Sequence, residues 1–212
     1  MFRTSLRPAQ VARQYQRAGA KALSVLTDAK YFGGSSQILR QVRAATRLPI
    51  LRKDFVIDPY QVWESRLLGA DAILLIARIL SGRRMKVLSR LAHRLGLDCL
   101  FEVHDRADLG KVLPVKPRMV GINNRDLGDF KVDLGVTERL LPHLKSSNTL
   151  VVSESGIQTP EDVARMELLG VRAVLVGESL MKAAHPGKAL MGLRKSIKIR
   201  QDPLNVSRKS QE

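Results

Sequence analysis

The chain has 212 residues, of which 44% are hydrophobic and 26% are charged, and this predicts one globular domain with a substantial core. It has a single cysteine, which excludes an intramolecular disulfide, and no apolar run approaches the ~20 residues needed to cross a bilayer. We therefore expect a cytoplasmic location and no membrane contact.

The net charge of +16 fits a nucleic-acid partner, an anionic small substrate or a basic solvated surface. Because aromatic residues make up only 4% of the chain and no nucleic-acid motif accompanies the charge, we expect no nucleic-acid partner.

Seven short apolar runs recur along the chain, each followed by polar residues and then by a stretch with helical periodicity. The runs are too continuously apolar for strands with one wet face, so they predict a parallel sheet covered by helices. One helix is marked at both ends, because Thr159 precedes Pro160 and Gly170 follows Leu169. The predicted strands are 22–26, 49–51, 72–76, 99–103, 119–122, 150–152 and 173–176, and the predicted helices are 8–18, 36–45, 59–68, 81–95, 160–169 and 187–196.

This order of elements fits either an open doubly wound sheet or a (β/α)8 barrel that is short of one strand. A barrel gathers all strand ends on one face, whereas a doubly wound sheet uses the ends at one switch point. Polar or small residues stand at the end of nearly every predicted strand, which favours the barrel: Lys53, Glu102, Asn123, Ser155 and Gly177.

Two charged residues interrupt apolar strands and are candidates for proton transfer. Lys53 follows the strand at 49–51, where low-dielectric walls would suit a proton donor or an anion clamp; the alternative is a surface lysine at a wet strand end. Glu102 lies within an apolar strand, where an unpaired carboxylate is costly to bury. We therefore predict an acid/base pair of Lys53 and Glu102. His104 is interpreted as a capping or packing residue, since the histidines show no metal-ligand spacing.

The later strand ends carry groups suited to anionic ligands. Asn123 and Arg125 lie two residues apart, and the pair is either a binder of carboxylate and hydroxyl groups at the mouth or an ordinary turn. Small residues at 153–157 and 175–180 would let backbone amides approach a ligand. Because the loops after strands seven and eight of (β/α)8 barrels commonly bind phosphate, we expect a phosphate site around Gly177.

Taken together, these segments resemble the indole-3-glycerol phosphate synthase family, in order and in register over about residues 7–193. The resemblance implies a (β/α)8 barrel without cofactor or metal. It implies a carbon–carbon lyase that converts 1-(o-carboxyphenylamino)-1-deoxyribulose 5-phosphate into indole-3-glycerol phosphate, carbon dioxide and water. The motifs that carry the resemblance are LSVLTD (23–28), FGGS (32–35), LRKDF (51–55), DPY (58–60), AILLIA (72–77), GINNRDL (121–127) and SESGI (153–157).

The resemblance also implies roles for individual residues. Lys53 corresponds to the general acid of ring closure, Glu102 to a residue of the proton transfers, and Asn123 to a further member of the catalytic group. The expected partner is a phosphorylated carboxylate of low molecular mass, with other tryptophan-pathway enzymes as further candidates. The residues that correspond to substrate-binding positions are Arg125, Phe55, Ser155, Gly156, Gly177, Glu178 and Ser179.

The chain departs from the family at its start. Family members have an N-terminal extension and a first strand with a Glu-x-Lys-x-x-Ser-Pro-Ser type motif, whose glutamate and lysine help dehydration and phosphate binding. Residues 1–7 offer no counterpart, so we expect a barrel domain over 1–197 that lacks its first strand, followed by a basic polar tail over 198–212. We also expect the chain to be a fragment from a start codon called too late, inactive and poorly soluble on its own.

Three alternatives stay open from the sequence. The first is a catalytically inactive relative that serves as a binding or assembly partner of another enzyme. The second is another phosphate-binding barrel, such as phosphoribosylanthranilate isomerase, although the contexts of Lys53 and Glu102 argue against it. The third is a basic nucleic-acid binder.

Overall fold

The structure is a computed structural model that describes residues 7–126, 128, 130–144 and 148–195. Most of the predicted barrel domain falls within these ranges. The predicted basic tail at 198–212 lies outside the described residues, as do residues 1–6. Within the described ranges, no helix is long and apolar enough to cross a membrane.

Among the described residues, seven parallel strands form one sheet in which each strand pairs with the next in chain order. Consecutive parallel strands require crossover connections, which here contain helices. The strand order never reverses, so the sheet has no switch point and the doubly wound alternative is wrong. The strands are β1 (Leu23–Leu26), β2 (Ile50–Lys53), β3 (Ala72–Ile76), β4 (Asp98–Val103), β5 (Met119–Asn123), β6 (Leu150–Glu154) and β7 (Ala173–Leu175).

The helices begin and end at residues whose side chains suit those positions. In the helix that follows β6, Thr159 accepts a hydrogen bond from the Asp162 amide, Pro160 is the first helical residue, and Gly170 closes the helix in the left-handed conformation. The α-helices of the described part are α1 (Pro8–Arg17), α2 (Ala29–Phe32), α3 (Ser36–Ala45), α4 (Pro59–Leu68), α5 (Gly82–Arg94), α6 (Arg106–Val112), α7 (Gly135–Leu140), α8 (Pro160–Leu169), α9 (Glu178–Lys182) and α10 (Pro186–Leu193).

Two strands continue two residues beyond their apolar runs, so their predicted ends were wrong. β2 runs to Lys53 and β6 to Glu154, whereas apolarity predicted ends at residues 51 and 152. Polar residues extend both strands because their side chains are paired inside the barrel instead of being solvated. Helices α2, α6, α7 and α9 were not predicted, since four to seven residues are too few to show a helical period.

Side chains of the strands alternate between two cores. In β3, Ile73 and Leu75 pack into the large core between the sheet and its helices, while Leu74 and Ile76 belong to a small separate core. Leu100 of the neighbouring strand β4 and Val152 of β6, three strands away from β3, join that second core. Residues from both halves of one sheet can meet only if the sheet curls around its own inner face, which confirms the predicted barrel.

Among the described residues, the barrel is open between β1 and β7, the two ends of the strand order. On β1 the outward-facing Leu23 and Val25 are buried against helices, but the inward-facing Ser24 and Leu26 are exposed. The helix layer nevertheless continues past this opening, because α1 packs against α10 and Arg194 donates a 2.8 Å hydrogen bond to the Ala18 carbonyl. The opening is therefore confined to the strand layer.

Candidate active site

Lys53 lies between two buried carboxylates inside the carboxyl-terminal end of the barrel. Its Nζ is 2.9 Å from Glu102 Oε2 and 3.0 Å from Glu154 Oε2. Lys53 and Glu154 end β2 and β6, and Glu102 is the penultimate residue of β4. All three occupy inward-facing positions of their strands, which brings together residues 49 and 101 positions apart in the chain. The structure shows the contact between Lys53 and Glu102, so the surface-lysine alternative is wrong, while the acid/base roles of the pair stay a prediction.

The environment separates the proton affinities of the three groups. Burial lowers the pKa of Lys53, but the charges of Glu154 and Glu102 outweigh burial and raise it above its ordinary value. Burial raises the pKa of Glu102, but the charge and hydrogen bond of Lys53 outweigh it and lower that pKa. For Glu154, the effect of burial exceeds the opposing effect of Lys53 and raises the pKa to about 7, and the charge of Glu102 adds to the rise. Near neutral pH, Glu154 can therefore gain or lose a proton while Lys53 and Glu102 stay charged.

Asn123 and Arg125 both lie at the mouth, and both are already engaged. Asn123 Oδ1 accepts hydrogen bonds from Ser155 Oγ at 2.8 Å and from the Arg125 amide at 3.0 Å. Arg125 Nη2 is 2.6 Å from Glu178 Oε2, and its Nη1 donates to the Phe130 carbonyl at 3.2 Å. The guanidinium thus bridges the segment after β5 to helix α9.

Asn124, which was not predicted to be a site residue, fixes the backbone beneath these residues. Its amide nitrogen donates to Ser153 Oγ, the Glu154 carbonyl and the Ser155 carbonyl, at 2.9 to 3.0 Å. Its side-chain oxygen accepts from the amide and hydroxyl of Thr137. A fully used, buried amide of this kind fixes the end of β6 and so the place of Glu154.

The turns after the last two strands lie side by side. Ser155 and Gly156 both have left-handed backbones, and a Cβ on Gly156 would lie 2.6 Å from Val132 Cγ1. Ser179 Oγ donates to the Ile157 carbonyl at 3.1 Å and so joins the two turns. Gly177 directly precedes α9 and gives it no side-chain cap, and a Cβ at Gly177 would meet nothing within 4 Å.

Aromatic rings cover the β2 side of the mouth. Phe55 follows Lys53 closely in the chain and packs edge-on against Tyr31, with ring centroids 5.8 Å apart. It also stacks on Phe32 at 6.4 Å. Tyr31 and Phe32 are exposed, so this small aromatic surface is open to a ligand.

The structure brings the predicted site residues to one end of the barrel but also includes a residue that sequence reasoning missed. Glu154 was read as part of a small-residue turn, although it interrupts the apolar run of β6 just as Glu102 interrupts that of β4. The same signal could have found it. Within the described ranges, no group of three or more His, Cys, Asp or Glu side chains is placed to hold a metal ion.

The fold and the site define a class of protein: a (β/α) barrel with a lysine held between two buried carboxylates at its carboxyl-terminal mouth. The particular family follows from comparison with known proteins. The chain belongs to the indole-3-glycerol phosphate synthase family, whose model matches residues 1–193. This confirms the resemblance and removes phosphoribosylanthranilate isomerase as an alternative.

Named relatives agree with the family match. A protein from Dehalococcoides mccartyi named indole-3-glycerol phosphate synthase is 54% identical over 183 residues, which cover 85% of this chain and 70% of the relative. Another of that name, from Polaromonas naphthalenivorans, is 50% identical over 193 residues, which cover 91% of this chain and 73% of the relative.

Two solved structures share the architecture. KGPDC from Streptococcus mutans aligns with a TM-score of 0.70 and 12% identity over 91% of each chain. Thiamine phosphate pyrophosphorylase from Pyrococcus furiosus aligns with a TM-score of 0.71 and 19% identity, covering 90% of this chain and 89% of that protein. At such low identities the likeness shows the fold alone.

Proposed function

We propose that this chain catalyses the family reaction, the conversion of 1-(o-carboxyphenylamino)-1-deoxyribulose 5-phosphate into indole-3-glycerol phosphate, carbon dioxide and water. The observation that carries the proposal is the placement of Lys53 between Glu102 and Glu154. A cation held in this way can deliver a proton to a substrate oxygen at the mouth and be re-protonated from within the site. We place the reaction in the cytoplasm.

Lys53 is the general acid of this proposal. Protonation of the substrate ketone oxygen makes its carbon electrophilic, so the aromatic ring closes onto it. Carbon dioxide then leaves with its bonding electrons returned to the ring, and loss of water completes the indole. In that dehydration the hydroxyl leaves as water and the neighbouring methylene carbon loses a proton, which Glu102, held as a carboxylate, accepts. Glu154, whose pKa burial raises to about 7, can return a proton to Lys53.

The other mouth residues fit the anionic and aromatic parts of the substrate. Arg125 would bind the substrate carboxylate in exchange for Glu178, which now holds the guanidinium. Asn123, already fixed by Ser155, would orient a substrate hydroxyl. Phe55, with its aromatic neighbours, would contact the aryl ring. The phosphate would be bound by the backbone of the paired turns, at Ser155, Gly156, Gly177, Glu178 and Ser179.

The test is formation of the indole chromophore from the proposed substrate. It is run with the 212-residue chain and with the same chain joined at its N-terminus to the residues of the Dehalococcoides mccartyi relative that precede the matched ones, here called the extended chain. Indole formation that is lost in Lys53→Ala supports the proposal. If both chains bind the substrate without forming indole, the chain is the inactive binding partner instead.

A further inference from the structure

His104 is a buried histidine between two buried carboxylates, and it lies on the side of Glu102 that faces away from Lys53. Its Nε2 lies 3.5 Å from Glu102 Oε1, and its Nδ1 lies 3.6 Å from Asp108 Oδ2. Neither ring nitrogen makes a hydrogen bond with another described residue, although both are removed from solvent. A histidine that served only as packing would not require a carboxylate at each end of its ring.

The two oxygens of the Glu102 carboxylate face different partners. Oε2 faces Lys53 at 2.9 Å, and Oε1 faces His104. On the far side of His104, Asp108 is fixed by the His104 amide at 3.2 Å and by Lys111 Nζ at 3.1 Å, with Arg78 Nε at 3.9 Å. The groups facing His104 are therefore carboxylates from β4 and α6, each balanced on its far side by a cation.

The protonation state of the ring follows from this geometry. A neutral imidazole has one N–H donor and one lone pair, so it would turn the lone pair towards one of the two carboxylates. Only the doubly protonated ring presents a donor to both Glu102 and Asp108. In a buried site, a lone pair that faces a carboxylate is costly, whereas a cation that faces a carboxylate is favourable.

We infer that His104 is a positioning residue, which as an imidazolium holds Glu102 Oε1 and keeps that carboxylate ionised and aimed at Lys53. The catalytic consequence of this inference rests on the proposed function, whereas the contact between His104 and Glu102 does not. The interaction of the His104 charge with Glu102 acts in the same direction, since it lowers the pKa of Glu102. His104 is thereby assigned a role beyond the capping or packing that the sequence predicted.

The direct test follows the ionisation of Glu102 by carbon NMR of the full 212-residue chain labelled at its glutamate carboxyl groups. The Glu102 signal is assigned by its loss in Glu102→Gln. In His104→Gln, which keeps a donor but removes the charge, we expect Glu102 to ionise at higher pH. The control is His93→Gln, an exposed histidine on α5, where no movement is expected. An unmoved Glu102 titration in a folded His104→Gln protein would overturn the inference.

A second measurement leaves His104 in place, in case the substitution prevents folding. The Nε2 resonance of His104 should shift in Glu102→Gln and stay unchanged in Glu178→Gln; equal spectra in all three proteins would also overturn the inference. In the extended chain, His104→Gln should lower kcat about 10-fold with KM nearly unchanged, less than the roughly 100-fold loss expected for a proton-transfer group itself. Absence of indole formation by the unsubstituted chains would instead overturn the proposed function.

Discussion

Gly121 leaves the space that the carboxylate of Glu154 occupies. Gly121 faces the barrel interior on β5, next to Glu102 in the register, and a Cβ built there would collide with Glu154 Oε1. That oxygen makes no hydrogen bond with another described residue, while the other oxygen of the same carboxylate binds Lys53. The absence of a side chain at Gly121 is therefore a condition for placing a second carboxylate beside Lys53.

The first prediction concerns this space. Gly121→Ala should lower the free energy of unfolding by about 1–3 kcal/mol, because an added methyl group must push a buried carboxylate away from its cation. The matched control is Gly192→Ala on α10, where a Cβ meets nothing within 4 Å and alanine favours the helix. Denaturant unfolding of both variants gives the comparison, and equal stability of the two would contradict the assigned role of Gly121.

The second prediction concerns the proposed acid and base. In the extended chain, Lys53→Ala and Glu102→Gln should each lower kcat by at least ~100-fold, the low end of general acid–base contributions. Exposed Lys86→Ala on α5 is the control for loss of one lysine. Near-normal turnover by either site variant would remove that residue from the mechanism.

The architecture and much of the site could be predicted from the sequence for physical reasons that these residues illustrate. Continuous apolar runs require burial on both faces, which identifies parallel strands such as β3, and a charged residue inside such a run, as at Glu102, needs a partner. These signals are local, so they can be read one segment at a time.

What could not be predicted depends on which strands meet across the barrel. Lys53 and Glu154 are 101 residues apart, and their contact follows from the curl of the sheet. Local periodicity in the sequence does not predict that curl. The Arg125–Glu178 pair joins two residues that were each predicted to bind substrate but not each other. The contact of His104 with Asp108 likewise involves a helix that is too short to be recognised from periodicity.

The third prediction is a pH dependence of stability that arises from Glu154. Its pKa is raised from 4.5 in the unfolded reference to about 7 in the fold by burial, so folding favours the protonated form. Its contribution to the free energy of unfolding should be fully present below about pH 4.5 and be lost as the pH rises through about 7. Glu154→Gln should remove this decline, as measured by urea unfolding across that range. Exposed Glu161→Gln should keep it; a decline that persists in Glu154→Gln would assign it to another group.

The fourth prediction concerns the proposed phosphate site. Gly177→Val should weaken binding of a phosphate-bearing product analogue about 10-fold, because a branched side chain would obstruct the anion and the loss of one hydrogen bond to a charged group is about 1.5 kcal/mol. Gly110→Val on α6 is the control, since a Cβ there also meets nothing within 4 Å. Titration calorimetry measures the affinity of both variants for the phosphate-bearing analogue. Unchanged affinity in Gly177→Val would place the phosphate elsewhere.

The fifth prediction concerns the opening between β1 and β7. The inner face of β1 is exposed there, with Leu26 38% accessible, while the helix layer passes across the opening without a strand beneath it among the described residues. An apolar inner face and two unpaired strand edges are the surfaces that an added parallel strand would cover. We therefore expect the added segment of the extended chain to occupy this opening and to raise turnover at least ~100-fold over the 212-residue chain, because a closed strand layer would hold the groups around Lys53 in their reactive positions.

Cysteine labelling reports the seating of that strand independently of turnover. The native Cys99 is buried and its pKa is raised to about 12 by burial, so it stays silent towards thiol reagents. Leu26→Cys should react readily in the 212-residue chain and at least ~10-fold more slowly in the extended chain, a protection of about 1.4 kcal/mol. Leu67→Cys, on the outer surface of α4, should react equally in both because its site is 82% exposed in the parent. Equal labelling of Leu26→Cys in the two chains would show that the added segment does not occupy the opening, and any gain in turnover would then need another cause.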